Sequence, residues 1–204
     1  MNVFSFLTIS QPAEGIYKEL GSKFLAFAYP VSSESEIKER VDLLKKKYFD
    51  ATHHCFAWIL GADKARFRAV DDGEPNHSAG DPILGQIRSK NLTNVLVVVV
   101  RYYGGTKLGV GGLIQAYKIS AEAALNSAII VEQEVTQNVE LHFAYNENAE
   151  VMRLIKEYDL TLLSQNYAED CKLELEVKLG MRDRFLAKLN LLVDMGHKIS
   201  FKEV

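Results

Sequence analysis

Cys171-Lys172-Leu173-Glu174-Leu175-Glu176-Val177-Lys178-Leu179 alternates apolar and charged residues at every step. That period of two predicts a strand with one buried and one wet face. Upstream, Leu160–Tyr167 reads as a second strand, joined to the first by an Ala168-Glu169-Asp170 turn. Downstream, Arg182–Met195 reads as a helix stopped by Gly196, a residue suited to the position after a helix end. His197–Val204 closes as a strand. Further back, Asn146–Tyr158 places Ala149, Met152 and Ile155 at helical spacing, with Asn146 as N-cap. Val135–Phe143 alternates as a strand. The resulting order, β-α-β-β-α-β, is the ferredoxin-like split motif.

The remaining N-terminal part is also mixed. Phe4–Ile9, Gly15–Leu20 and Lys23–Tyr29 read as strands. Ser33-Glu34-Ser35-Glu36 is a capping box opening a helix, with Ile37, Val41, Leu44 and Tyr48 on one face. His53–Leu60 and Arg66–Val70 read as a hairpin. Asp81-Pro82 suits an N-cap and first helical residue, opening a short helix over Pro82–Ser89. Asn94–Arg101 reads as a buried strand, and a long helix begins near Gly112 and runs to Ser127. The chain is therefore read as α+β, with domains at 1–131 and 132–204 and Glu132-Gln133-Glu134 as a short polar link.

Composition excludes several classes. The 204 residues are 48% hydrophobic and 25% charged, enough to build a core and unlike a disordered chain. The longest apolar run, Val95–Val100, is far shorter than the roughly 18 residues of a membrane helix, so no membrane partner is expected. Two cysteines, Cys55 and Cys171, support neither a disulfide framework nor a zinc site. The opening residues lack the basic and apolar regions of a secretory signal, so a cytoplasmic location is expected. Residues 1–131 hold 15 Lys and Arg against 13 Asp and Glu, a net of +2; residues 132–204 hold 9 against 14, a net of −5. Neither half has a strong basic footprint.

Two stretches carry candidate chemistry. In Arg101-Tyr102-Tyr103-Gly104-Gly105-Thr106-Lys107-Leu108-Gly109-Val110-Gly111-Gly112, a buried strand runs into five glycines and a helix. Glycines let backbone approach a ligand. A helix N-terminus presents unpaired N–H groups to phosphate. Arg101 and Lys107 add charge, and Tyr102 and Tyr103 offer rings for base stacking. The spacing fits neither the P-loop nor the dinucleotide fingerprint. Asp71-Asp72-Gly73-Glu74-Pro75-Asn76-His77 is the second stretch, in which Asp72, Glu74 and His77 are acid–base candidates. Its spacing matches no EF-hand, and no metal or cofactor is expected. His53 and His54, adjacent on a strand, point to opposite faces, so at most one joins that loop. Cys55 faces away from His54, a poor arrangement for a thiol–base pair.

Together these motifs resemble the IMPACT/YigZ family. The resemblance rests on Asp71-Asp72-Gly73-Glu74-Pro75, on Ala79-Gly80 with Pro82 and Leu84, and on the run from Val98 through Gly112-Leu113. Ala51-Thr52-His53-His54-Cys55 and Ser22-Lys23-Phe24 are similar as well, so the motifs span about residues 17–125. The resemblance implies a ribosomal protein S5 domain 2-like N-terminal domain, a fold shared with elongation factor G domain IV and GHMP kinases. It also implies a ferredoxin-like C-terminal domain similar to elongation factor G domain V. Eukaryotic relatives act in translational control through an additional N-terminal domain absent from this sequence, so that kinase-pathway role is not carried over.

The leading expectation is a non-catalytic binding protein associated with RNA or the ribosome. Its basic patch would comprise Lys23, Arg66, Arg68, Arg101 and Lys107. The alternative is an enzyme or binder of a phosphate-bearing ligand, held between the Gly104–Gly112 loop and the Asp72/Glu74/His77 loop. A third reading is an interaction scaffold presenting Asp72, Glu74 and Tyr103 as exposed contacts.

Overall fold

The structure, a computed structural model, describes residues 3–167 and 171–204. The Ala168-Glu169-Asp170 turn lies outside the described residues. Contacts divide the chain into two units: Phe6–Gln133, and Glu134–Val204 together with the N-terminal residues up to Ser5.

The first unit is built on a five-stranded antiparallel sheet. Its strands are β2 (Ala13–Glu19), β3 (Ser22–Pro30), β4 (His53–Leu60), β5 (Arg66–Val70) and β6 (Val95–Tyr102), in the order β2-β3-β6-β4-β5. β6 lies at the centre, and Val95–Val100 are fully buried because both faces are covered. On one face α2 (Gly80–Ser89) and α3 (Gly109–Ser127) pack over Phe24, Ala26, Cys55, Ala57, Val97 and Val99. On the other, α1 (Glu34–Lys47) packs Ile37, Val41 and Leu44 over Phe27, Trp58, Leu96, Val98 and Val100. The alternation of core residues along β6 is thus one strand serving two cores. The Ser33 hydroxyl caps α1 by accepting from the Glu36 amide at 3.2 Å, and the Glu36 carboxylate accepts from the Ser32 amide at 3.0 Å.

Three local expectations are corrected. Ile130–Glu134 forms a strand, β7, paired with β1 (Ser5–Ile9), where composition suggested only a polar link. A distant strand with open backbone groups outweighs low local β-propensity. The cap of α2 is Ala79 and not Asp81, and no side chain at the cap position bonds the helix. The Asp71 carboxylate supplies that bond from outside, accepting from the Ala79 amide at 3.0 Å and the Gly80 amide at 2.8 Å. α3 begins at Gly109, nearly a turn earlier than Gly112, because glycine's low helix propensity is overridden by packing on β2 and β3.

The second unit runs β8 (Thr136–Phe143), α4 (Asn148–Glu157), β9 (Thr161–Tyr167), β10 (Cys171–Lys178), α5 (Leu179–Asp194) and β11 (Ile199–Glu203). The sheet order is β11-β8-β10-β9, antiparallel throughout. Cys171, Leu173, Leu175 and Val177 are fully buried against Val151, Leu154, Phe185 and Leu189. On the opposite face Glu140 pairs with Lys172 and Lys202 at 2.8 and 3.0 Å. Asn146 does not cap α4. It sits inside a single 3-10 turn, Tyr145–Glu147, and Glu147 occupies the cap position with its carboxylate turned to His197 at 2.7 Å. Gly196 ends α5 with φ of 92°.

Candidate functional site

The two motif stretches meet in the first unit. Arg101 leaves the end of β6 on the α2/α3 face, directly opposite His53 on β4. The Asp71–Pro75 turn folds over that pair, and its Glu74 reaches in between. Arg101 Nη1 donates to Glu74 Oε1 at 2.5 Å, and the Tyr117 hydroxyl from α3 donates to the same oxygen at 2.8 Å. Both charged side chains are deeply buried, at 6% and 4% exposure. Two buried charges are tolerated here because each is the other's counter-ion. Below them the Cys55 thiol lies 3.0 Å from the Asp71 carbonyl and 3.3 Å from Tyr117 Oη.

Asp71 and Asp72 hold the turn in place. Burial raises the Asp71 carboxyl, but amide donors from Gly80, His77 and Ala79 outweigh it and hold the group below the usual range. Asp72 Oδ2 accepts from the His54 amide at 2.7 Å, and Oδ1 lies 3.4 Å from Lys45 Nζ. The two histidines split as their strand positions require. His53 Nδ1 bonds the Asp72 carbonyl at 2.8 Å, with Nε2 3.9 Å from Glu74 Oε1. The His54 ring lies on the other face, where burial lowers its basicity.

Above the Arg101–Glu74 pair is a cleft of about 410 Å³, whose lining includes Thr52, His53, Glu74, Arg101, Tyr103 and Lys107, with Leu108, Val110 and Leu113 forming an apolar side. That volume falls in the roughly 300–1,000 Å³ range of small-ligand sites. The first turn of α3 borders it, and no side chain caps those amides. Tyr103 is 46% exposed, with the Arg101 guanidinium 5.6 Å from its ring centre. Lys107 makes no ion pair or hydrogen bond among the described residues.

The candidate residues divide accordingly. Arg101, Tyr103, Lys107, Gly109, Glu74 and Pro75 line the cleft. Tyr102 does not. Its ring packs on the α1 face and its hydroxyl donates to Asp50 at 2.8 Å. Gly104 is needed for packing, since a Cβ there would sit 1.9 Å from the Gly21 carbonyl carbon. Gly105 and Gly109 hold positive φ, whereas a Cβ on Gly111 would meet nothing. Gly112 abuts the Leu108 side chain, and Gly73, at φ of 89°, forms the turn beside His53. His77 is 81% exposed and pairs with Asp81, away from the cleft. Of the Asp72/Glu74/His77 set, only Glu74 lines the cleft.

The five-residue basic patch is also corrected. Lys23, Arg66 and Arg68 share the α1 face, because Lys23 is in register with Tyr102, Arg66 with Leu60 and Arg68 with Trp58. Arg101 projects from the opposite face, stacked on Phe24 of the α2/α3 core. Its charge is matched by Glu74, so Lys107 is the free cation of the cleft among the described residues. Glu74, at 8% exposure, is not the exposed contact that a scaffold requires. Among the described residues no cluster of three or more His, Cys, Asp or Glu can hold a metal. Among the described residues no helix is long and apolar enough to cross a membrane.

Sequence reasoning missed Thr52 and Tyr117 as site residues. Tyr117 carried a usable signal, since a tyrosine on the buried stripe of a helix needs a partner for its hydroxyl.

Comparison with known proteins places the chain in a wider group. A family model described as the Impact N-terminal domain matches residues 20–125. The IMPACT family member YvyE of Bacillus subtilis is 32% identical, over 85% of this chain and 80% of that protein. The IMPACT family member YigZ of Escherichia coli is 29% identical, over 91% and 92%. Human Protein IMPACT is 39% identical over 43% of this chain and 28% of its own length. A solved structure titled as a hypothetical protein superposes with a TM-score of 0.77 at 26% identity, covering 100% of this chain and 98% of that one. The family match spans the β3-to-α3 core that carries both motif loops, and on this evidence the chain belongs to the IMPACT family.

Proposed function

We propose that the chain is a non-catalytic, cytoplasmic RNA-binding protein associated with the ribosome, and that the cleft between the two motif loops holds single-stranded RNA. The proposal includes an S5 domain 2-like fold for the first unit and a ferredoxin-like fold for the second. The sheet orders support these assignments. The fold shared with elongation factor G domains, which the family resemblance implies, supports the partner.

One observation carries the reading: the half-exposed Tyr103 ring stands beside Lys107 and the uncapped first turn of α3. A base stacks on the ring, and its phosphate meets the ammonium and the amides. Binding rather than catalysis is favoured because burial pushes the Cys55 thiol and the Tyr117 hydroxyl below the cleft far above their usual ranges, so neither is a thiolate or phenolate nucleophile.

Fluorescence anisotropy with a labelled single-stranded RNA tests this reading. With one free lysine, the affinity should fall with salt at a log–log slope of about −0.7 per neutralised phosphate. Lys107→Ala should flatten that slope. Tyr103→Ala should weaken binding by about fivefold or more. Unchanged affinity and slope in both variants would remove the cleft from RNA binding. Sedimentation with a ribosomal subunit at physiological salt tests the partner.

A phosphate-bearing small ligand in the same cleft is the second reading, favoured by its volume and apolar side. A thermal-shift screen of nucleotides and phosphorylated metabolites separates the two.

A further inference from the structure

The floor of the cleft carries hydrogen-bonding capacity that the fold leaves unused. Glu74 Oε1 is filled by Arg101 and Tyr117, but among the described residues Oε2 accepts no hydrogen bond. A carboxylate offers about four acceptor sites, so the open ones belong to Oε2. His53 adds a second acceptor. Its Nδ1 faces the Asp72 carbonyl, which can only accept, so Nδ1 carries the proton. In the neutral ring Nε2 is then a lone-pair acceptor, and it lies beside Glu74 in the cleft lining. The Arg101 Nε is enclosed in the protein without a hydrogen-bond partner among the described residues, on a side chain 6% exposed, so it is not a donor to the cleft.

The floor therefore offers two acceptors, beside an aromatic ring and next to a free lysine. Their complement is a flat, stacking group with two adjacent N–H donors. Among the RNA bases only guanine has that edge, with N1–H and the N2 amino group side by side. Uracil has one N–H between two carbonyls. Adenine and cytosine have one amino group next to a ring acceptor.

Resting on the RNA reading above, we propose that the cleft is a guanine-specific subsite of single-stranded RNA. Tyr103 stacks the base. Glu74 and His53 accept from N1–H and the N2 amino group, and Lys107 meets the phosphate. Reading one base edge through paired hydrogen bonds discriminates by roughly tenfold or more.

The test is anisotropy of the full chain with labelled UUGUU, UUAUU, UUCUU and UUUUU, and with inosine at the central position. UUGUU should bind at least about tenfold tighter than UUUUU, with inosine between because it lacks the N2 amino group. In Glu74→Gln the amide oxygen must face Arg101 and Tyr117, which turns the amide donor toward the cleft. The UUGUU to UUUUU ratio should then fall to about one. His53→Phe, which keeps a ring and removes the acceptor, should also lower the ratio and serves if Glu74→Gln does not fold. Equal affinity for all five oligonucleotides would overturn the guanine subsite while leaving RNA binding intact. Binding of none of them would overturn the RNA reading itself. Displacement of UUGUU by guanosine monophosphate at matching affinity would assign the subsite to free nucleotide and overturn its RNA source.

Discussion

Replacing Glu74 by alanine should destabilise the first unit severely. The carboxylate is the counter-ion of a guanidinium that is only 6% exposed, and it also accepts from the Tyr117 hydroxyl. Removing it strands a buried positive charge and an unmet hydroxyl. Breaking a buried ion pair from one side costs about 3–5 kcal/mol. Total stabilities are roughly 5–15 kcal/mol, so Glu74→Ala should leave the unit marginal. The chain has a single tryptophan, Trp58. It is 7% exposed in the core beneath α1, so its emission during urea unfolding reports this unit. Replacing both partners, Arg101→Met with Glu74→Leu, removes the stranded charge. That double variant should be more stable than Glu74→Ala alone. A loss below about 1 kcal/mol in Glu74→Ala would refute the argument, because it would mean that the pair is hydrated. A double variant less stable than the sum of its single losses would refute it too.

Gly104→Ala should destabilise the same transition by about 2 kcal/mol or more, since its Cβ would overlap the Gly21 carbonyl carbon. Gly111→Ala, whose Cβ meets nothing, should be neutral or stabilising by up to about 1 kcal/mol, and should weaken RNA binding where the ligand approaches the α3 backbone. The Asp71 carboxyl is held below its ordinary value of 3.8, so its contribution is present above that pH and lost as pH falls through the folded value. Trp58-monitored stability should therefore drop more steeply below about pH 4 in the wild type than in Asp71→Asn. Lys172, then His142 and Lys202, hold the Glu140 carboxyl down at about 2. An NMR titration should find its midpoint there and not near 4.5. Cys55 and Cys171 are both buried, so a thiol reagent at pH 8 should modify neither in the native chain and both in urea.

Much of the architecture was legible because it is written in local periodicity. The period-two run at Leu173–Lys178 became β10 with its apolar side fully buried. The Ser33 box became the α1 cap, and Gly196 the end of α5. The errors fell where distant groups take over a local role. α2 is capped by Asp71, eight and nine residues upstream of the amides it serves. β7 exists because β1 offers it a ladder. Neither fact leaves a trace in a short window of sequence.

The site followed the same division. By itself, the sequence determined which residue types were available: glycines that let backbone approach closely, a strand leading into a helix, and acids punctuated by glycine and proline. Those follow from conformational preferences of single residues and their neighbours. Only the tertiary structure decided how these residues were used. Strand register set Arg101 opposite His53 and turned Tyr102 away to the α1 face. The Asp71–Pro75 turn then brought Glu74 over Arg101, and α3 brought Tyr117 under it. That pairing spends the charge of Arg101 inside the protein and leaves Lys107 facing the cleft. A one-dimensional count cannot distinguish a cation neutralised in the core from one open to a ligand, because the difference lies in burial and in a partner 27 residues away.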